Sequence, residues 1–372
     1  MSLIFIGIGI YLILLSAKCI YAKSWSKGIS VQLGLSTTEA YPGDRVMITE
    51  TVMNDNWLPL PMIHVKFAID RSLVFDNHIE NTSVSDQCYK CDVFAMLFYQ
   101  KITRTLSVTC TKRGYFYIDE LDVVSTDLFM KNVVSITRPV KQSLMVYPKQ
   151  LSSEQIEIPY QRIMGTMVTQ RYTYEDPFEF RAIREYQTYD TMRSINWNAS
   201  AKTGDLKVNV YENTACQEVC LLLNLESEGI WEYEELKEIS ISLVCSLACR
   251  LMKQGIRVSI ISNGVDTVTK QSVHIESGSD ESHRKTVMTQ MSRIDLGKSM
   301  QEFTTLLEES YRQIAKGAML VMVSTCKKES LQKSYTRIVA ETSDSLWILP
   351  MLSEMDGNID YYDMSKVIRW EV

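Results

Sequence analysis

Between Phe178 and Glu212 the chain gathers Arg181, Arg184, Glu185, Asp190, Arg193, Trp197, Lys202 and Glu212 within 35 residues. Guanidinium groups beside carboxylates suit recognition of an anion or of a carboxylate-bearing partner, because the arginine fork donates parallel hydrogen bonds. The same groups suit internal pairs, Arg184, Arg193 and Lys202 with Glu185, Asp190 and Glu212, that hold an irregular segment together. The two readings stand level for Arg181, Arg184 and Arg193. Trp197 reads as a packed ring whose N–H finds a partner. Catalysis is a poor reading. The stretch has no His or Cys, and Ser194 and Ser200 lack a general base nearby in sequence.

Two other groupings carry ligand-type residues. Cys88-Tyr89-Lys90-Cys91 is a C-x-x-C, but zinc needs a second ligand pair, and His64, His78 and Cys110 show no paired spacing. A cysteine pair in a loop or edge strand is the better reading. Glu226 and Glu228 follow the apolar run CQEVCLLLNL and read as solvated carboxylates at a strand end. The four His (His64, His78, His274, His283) are scattered. No phosphate-loop, dinucleotide, zinc-protease or nucleophile-elbow word occurs.

The elements that position these groups follow from length and pattern. A chain of 372 residues suits two or three domains. A net charge of -6 with no Lys/Arg-rich block excludes nucleic acid as a main partner. The nine cysteines sit mostly in apolar runs and read as reduced thiols of a cytosolic compartment. Ser2 to Ala17 is uncharged. If Lys18 snorkels, the apolar run reaches Ala22, about 20 residues and enough for a transmembrane helix. Lys18, Lys23 and Lys27 follow it, which places the bulk of the chain in the cytoplasm of a single-pass protein at the cell membrane.

From about 28 to 150, β-branched and aromatic runs such as RVMITETVMN, IHVKFAID and ITRTLSVTC alternate with turn signals. Pro42-Gly43 suits a type II turn, and Lys112-Arg113-Gly114 marks another. This spacing suggests a β-sandwich. From Gly165 to Tyr186 the chain reads as loop with extended pieces, with Asp176-Pro177 blocking helix. Beyond about 215, strands alternate with helices near Glu232–Gln254, Glu281–Ser292, Ser299–Lys316 and Glu329–Ser343. The intervening apolar runs IRVSIIS, AMLVMVST and SLWILPML read as strands buried on both faces, as in a parallel, doubly wound α/β sheet.

The ordered pattern F-R-x-x-R-E-Y-x-x-x-D-x-x-R-x-I-x-W-x-A-S-A-K-x-G-x-L-x-V-x-x-x-E, from Phe180 to Glu212, resembles the signature of the domain-of-unknown-function family fifty-eight (DUF58). The family usually has Gly where this chain has Tyr189, and Asp where it has Asn196. The resemblance implies a membrane anchor, a β-rich domain and a von Willebrand factor A-like domain. Such a domain often binds Mg²⁺ through D-x-S-x-S, a Thr and a later Asp. Here Asn224, Glu226 and Glu228 stand in the first motif and Thr325 replaces the later Asp, so the metal site is degraded and no cofactor is expected; the alternative is a site rebuilt on Glu226 and Glu228.

The expected fold is therefore α+β and multidomain. It comprises a transmembrane anchor (1–27), a β-sandwich (28–150), an irregular signature segment (151–214) and a doubly wound, von Willebrand A-like α/β domain (215–372). The expected function is a non-enzymatic interaction or scaffold protein. The resemblance implies partners among MoxR-type AAA+ ATPases, other A-domain proteins and transglutaminase-like membrane proteins, in assembly or maturation of a complex. Two alternatives are a hydrolase that uses the charged segment and a divalent-cation-dependent adhesion domain.

Overall fold

A computed structural model of the chain describes residues 2–76, 82–84, 87–126, 133–171, 180–211, 218–227, 233–314, 317–341, 344–353, 355 and 357–371. The chain divides into two units, Met1–Lys149 and Gln150–Val372.

The first unit opens with helix α1 (Ser2–Ser24) and continues as strands β1 (Ile29–Leu35), β2 (Glu39–Ala40), β3 (Arg45–Asn54), β4 (Leu60–Asp70) and β5 (Leu73–Phe75). β6 (Thr82–Val84), β7 (Gln87–Met96), β8 (Gln100–Cys110), β9 (Gly114–Thr126) and β10 (Val133–Val146) complete it. They form two sheets, ordered β1-β3-β8-β5 and β2-β10-β9-β4-β7-β6. Inward positions alternate with exposed ones along β3 and β7, the period of two that a half-buried strand imposes. The inward residues, among them Ile48, Val52, Ile63, Val65, Leu121 and Val123, make one apolar core. Gly43 adopts φ +96°, as the turn at Pro42-Gly43 requires, and Asp44 N–H donates to the Tyr41 carbonyl at 3.0 Å.

That core contains an unexpected ionic cluster. Glu50 on β3 lies in register with Arg104 on β8, while Lys90 and Asp92 come from β7 in the other sheet. Lys90 Nζ is 3.1 Å and Arg104 Nη1 2.8 Å from Asp92 Oδ1. Glu50, Lys90 and Asp92 are all buried. Burial, then the neighbouring Asp92 carboxylate, pushes the Glu50 carboxyl up to about 8.

The expected transmembrane helix needs correction. Among the described residues no helix is long and apolar enough to cross a membrane. The reason lies at the end of α1. Tyr21 and Trp25 are buried in the first unit's core, and Tyr21 O–H donates to the Thr126 carbonyl at 3.0 Å. What remains ahead of Lys18 is about 24 Å of helix at 1.5 Å per residue, short of the roughly 30 Å of a bilayer's hydrocarbon. Phe5, Ile6, Ile8, Ile10, Tyr11, Leu12 and Ile13 are exposed on it.

The second unit begins with α2 (Glu157–Arg171), β11 (Phe180–Glu185), α3 (Trp197–Thr203) and β12 (Lys207–Tyr211). Its main sheet and flanking helices are β13 (Glu218–Asn224), α4 (Glu234–Lys253), β14 (Arg257–Asp266), β15 (Ser272–Gly278), α5 (Glu281–Ser292) and β16 (Ile294–Asp295). Then come α6 (Phe303–Ser310), β17 (Met319–Ser324), α7 (Glu329–Glu341), β18 (Ser345–Met351) and β19 (Val367–Glu371). The sheet order is β15-β14-β13-β17-β18-β19, with β16 beside β14. The five strands from β14 to β19 along this path run parallel, but β15 and β16 are antiparallel to β14.

The expected fold class is thereby overturned. Among the described residues the chain is mostly β-rich with seven α-helices, none of them long and apolar enough to cross a membrane, and its second sheet is mixed rather than purely parallel. On one face Cys220, Leu222, Leu320, Met322 and Trp347 pack with Phe303 and Leu307 of α6 and Tyr335 of α7. Helix α2 runs through Gly165, where loop was expected. Ser152 N–H donates to Gln155 Oε1 at its start, Arg250 holds Glu157 at 2.6 Å, and Ile163 and Met167 are buried one turn apart. Asp176-Pro177 lies outside the described residues.

The Glu50 cluster predicts an inverted pH dependence. A carboxyl raised in the folded state contributes stability that is complete below the unfolded value near 4.5 and is lost as pH rises towards about 8. Thermal melts of the full chain should therefore lose stability across that window, by on the order of a few kcal/mol at 1.36 kcal/mol per unit. The Glu50→Gln variant should melt with a flat profile there. A wild-type profile that rises from pH 5 to 8 would contradict the assignment.

Candidate functional site

The charged segment is a small structure within the second unit. β11 and β12 pair antiparallel, with Arg184 opposite Val208 and Glu185 opposite Lys207. Between them lie a 3-10 turn (Met192–Ser194) and α3. Arg184 makes a two-pronged contact with Asp190, at 2.6 Å to Oδ2 and 2.5 Å to Oδ1. The Gln187 N–H also donates to Asp190 Oδ2, at 2.8 Å. The hydrogen bond from Arg184 holds the Asp190 carboxyl below its usual range. The Tyr189 ring lies 5.7 Å from the guanidinium carbon of Arg184, at the position where the signature it resembles usually has Gly. Lys207 Nζ pairs with Glu185 at 3.2 Å.

Asn196 closes the other end. Its side-chain oxygen accepts from Ala199 N–H at 2.9 Å and caps α3, while its amide nitrogen donates to Asn209 at 2.7 Å. The Asp usual in the family offers no such donor. Ser200 Oγ donates to the Asn196 carbonyl and accepts from Lys207 N–H, both at 2.8 Å. Gly204, at φ +83°, ends the helix. Ile195 and Val208 are the buried apolar residues of this structure.

The sequence-expected residues divide accordingly. Arg184 with Asp190, and Glu185 with Lys207, form internal pairs. Arg193 and Lys202 are exposed and make no ion pair among the described residues. Trp197, expected to be packed, is 62% exposed and needs correction. It opens a seven-residue helix whose one buried residue is Ser200, so no apolar pocket receives the indole. Tyr189 and Met192 are also exposed, at 78% and 68%. The Arg181 backbone belongs to β11, and Glu212 lies outside the described residues.

The strand-end residues form a second, buried constellation. Asn224 ends β13, donates to Ser324 Oγ at 3.1 Å and accepts from Asn263 Nδ2 at 3.2 Å. Asn263 Oδ1 in turn accepts from Leu225 N–H at 2.9 Å. A neutral amide therefore ties β13 to β14 and β17 at the position where the D-x-S-x-S pattern carries an aspartate. Glu226 accepts from Phe303 N–H at the start of α6, at 2.6 Å, and from Lys328 Nζ at 3.3 Å. The Glu226 charge pushes the Lys328 ammonium above its usual value.

This donor set does not fit a divalent cation. Its carboxylate is already neutralised by an ammonium, and its amide is spent on strand contacts. Thr325 is half-buried, and Glu228 lies outside the described residues. Cys88 and Cys91 sit three apart on β7, so their side chains leave opposite faces of the strand and do not chelate one ion. Cys91 Sγ lies 3.7 Å from His64 Nδ1.

Magnesium titrated into the full chain should give no stoichiometric heat, and Lys328→Ala should not create a micromolar site, because Asn224 stays engaged. Stoichiometric micromolar binding by the wild type, abolished in Glu226→Ala, would overturn this reading of the strand ends.

No curated protein matches the chain. Among solved structures it is similar to a CARDB domain protein with di-metal ions from Pyrococcus furiosus, at 13% identity over 32% of this chain and 91% of that one, with a TM-score of 0.21. It is similar to a non-cellulosomal cohesin from Archaeoglobus fulgidus, at 12% identity over 35% and 96%, with a TM-score of 0.23. A third is Escherichia coli alpha-2-macroglobulin, at 14% identity over 32% and 24%, with a TM-score of 0.25. At these scores none contributes to the argument. Residues 182–348, from β11 to β18, match the family model described as Protein of unknown function DUF58, which supports the family that the signature segment resembles.

Proposed function

We propose that the protein is a non-enzymatic interaction or scaffold protein of the DUF58 type, and that the signature structure is its docking element. One observation carries this reading: the segment satisfies its own polar groups yet leaves Trp197, Tyr189 and Met192 exposed, together with Arg193 and Lys202. Exposed aromatics and arginine are the side chains that dominate binding energy at protein interfaces. Single exposed apolar residues need no explanation, but several on one 30-residue element, beside cations that make no ion pair among the described residues, do. The family resemblance suggests a MoxR-type AAA+ ATPase as the partner, with other A-domain and transglutaminase-like membrane proteins as further members of the assembly. Work at the cytoplasmic face of a cell membrane fits the exposed apolar side chains from Phe5 to Ile13 on α1.

Pull-down of the MoxR-type ATPase by the full chain tests this. Trp197→Ala and Arg193→Ala should each weaken capture, by about tenfold or more for the tryptophan. Both should leave the melting temperature near wild type, since exposed substitutions change stability by about 0.5 kcal/mol or less. Undiminished capture by the double variant would remove the signature structure from the interface.

A further inference from the structure

At the end of β13 opposite Asn224, the second unit carries a cavity of about 480 Å³. Glu218, Ser259, His274, Glu276 and Ser277 supply its polar lining, with Ile261 and Ile314 among its apolar walls. Glu218 is only 5% exposed, and its side chain makes no hydrogen bond or ion pair among the described residues. Its register neighbour Arg257 on β14 is exposed and does not pair with it. The Ser277 hydroxyl is likewise buried without a partner. A carboxyl group this little exposed gains from a counter-charge, and the cavity that Glu218 lines gives a ligand access to it.

The chemistry of the walls selects the ligand. Hard divalent cations take six or more oxygens, and among the described residues no three His, Cys, Asp or Glu side chains converge as a metal set. Two glutamates above isoleucine walls instead match a cationic head on an aliphatic stem, which buries its methylenes while its N–H groups reach carboxylates. β15, which contributes His274, Glu276 and Ser277, is an edge strand of the sheet, so the cavity borders backbone open to an incoming chain.

We propose that this cavity binds an alkylammonium or guanidinium group carried on an aliphatic stem, with Glu218 as its principal counter-ion and Glu276 as the second. The site lies apart from the signature structure and shares no residue with it. Titration calorimetry on the full chain tests the idea with N-acetyl-lysine and N-acetyl-arginine N-methylamides, agmatine and cadaverine. N-acetyl-norleucine N-methylamide serves as the neutral isostere, and zinc and magnesium chloride as metal controls. The cationic probes should bind with dissociation constants of about a millimolar, as small ligands of few contacts do. Tighter binding of the two blocked amino acids identifies a peptide side chain as the ligand; tighter binding of the diamine or agmatine identifies a free amine. Glu218→Gln should lose at least about tenfold in affinity while melting near the wild-type temperature, since the amide keeps the shape of the side chain it replaces. Glu276→Gln, altered at an exposed position, should weaken binding with its fold intact. Equal binding of the norleucine amide, binding of metal in place of the organic cations, no binding by any cationic probe, or full affinity in both variants would each overturn the proposal.

Discussion

The two-pronged contact between Arg184 and Asp190 is the constraint on which the signature structure rests. A planar guanidinium facing a carboxylate fixes both distance and plane, so it sets where the chain turns after β11. Asp190 Oδ2, already held by Arg184, also accepts from the Gln187 N–H, which closes the turn, and Tyr189 lies against the guanidinium. From there the chain reaches Asn196, whose side chain caps α3 and holds Asn209 of β12. Each step satisfies a polar group that an irregular segment would otherwise leave to water. What the network does not consume is what is exposed: Trp197, Met192, Arg193 and Lys202.

The same principle operates at the strand ends. Asn224, Asn263 and Ser324 bond to one another, and Glu226 is met by Lys328 and by the first amide of α6. A charge that a metal would neutralise elsewhere is neutralised by a side chain of this chain. Inside the first unit, Glu50, Lys90, Asp92 and Arg104 repeat the pattern between two sheets. There the balance is incomplete, and Glu50 keeps its proton up to about 8. Two ionic clusters are thus closed within the fold and a third nearly so, whereas the Glu218 side chain lines a cavity and makes no ion pair among the described residues.

Much of this was legible because it is periodic. The two-residue alternation of RVMITETVMN placed β3, and it also placed Glu50 in phase with Val46, Ile48 and Val52, a signal for the buried carboxyl that went unread. The helix expected near Glu232–Gln254 is α4, and Gly255, at φ +75°, follows its end. Direction was not legible. Apolar runs buried on both faces look alike whether their neighbours are parallel or antiparallel, so the mixed sheet and the short polar strand β15 were missed. The docking of Tyr21 against β9 is a contact across 105 residues with no local trace, and it is what shortens the apolar reach of α1. Trp197 failed for a related reason: size and apolarity favour burial only where the fold supplies a pocket, and α3 supplies none. In the signature, charge types announced ion pairs, but which arginine met which carboxylate needed the turn geometry.

Amide hydrogen exchange on the wild type, Arg184→Ala and Asp190→Asn measures the central constraint directly. The amides of Tyr186 and Asn196, which donate to Leu206 and Lys207 at 2.9 and 2.8 Å, report closure of the signature structure. If the Arg184–Asp190 contact organises the segment, both variants should speed exchange at these two amides by about tenfold or more, while β13 and β17 keep their protection. Unchanged exchange at Tyr186 and Asn196 in both variants would show that the segment holds its shape without that contact, and would contradict the account.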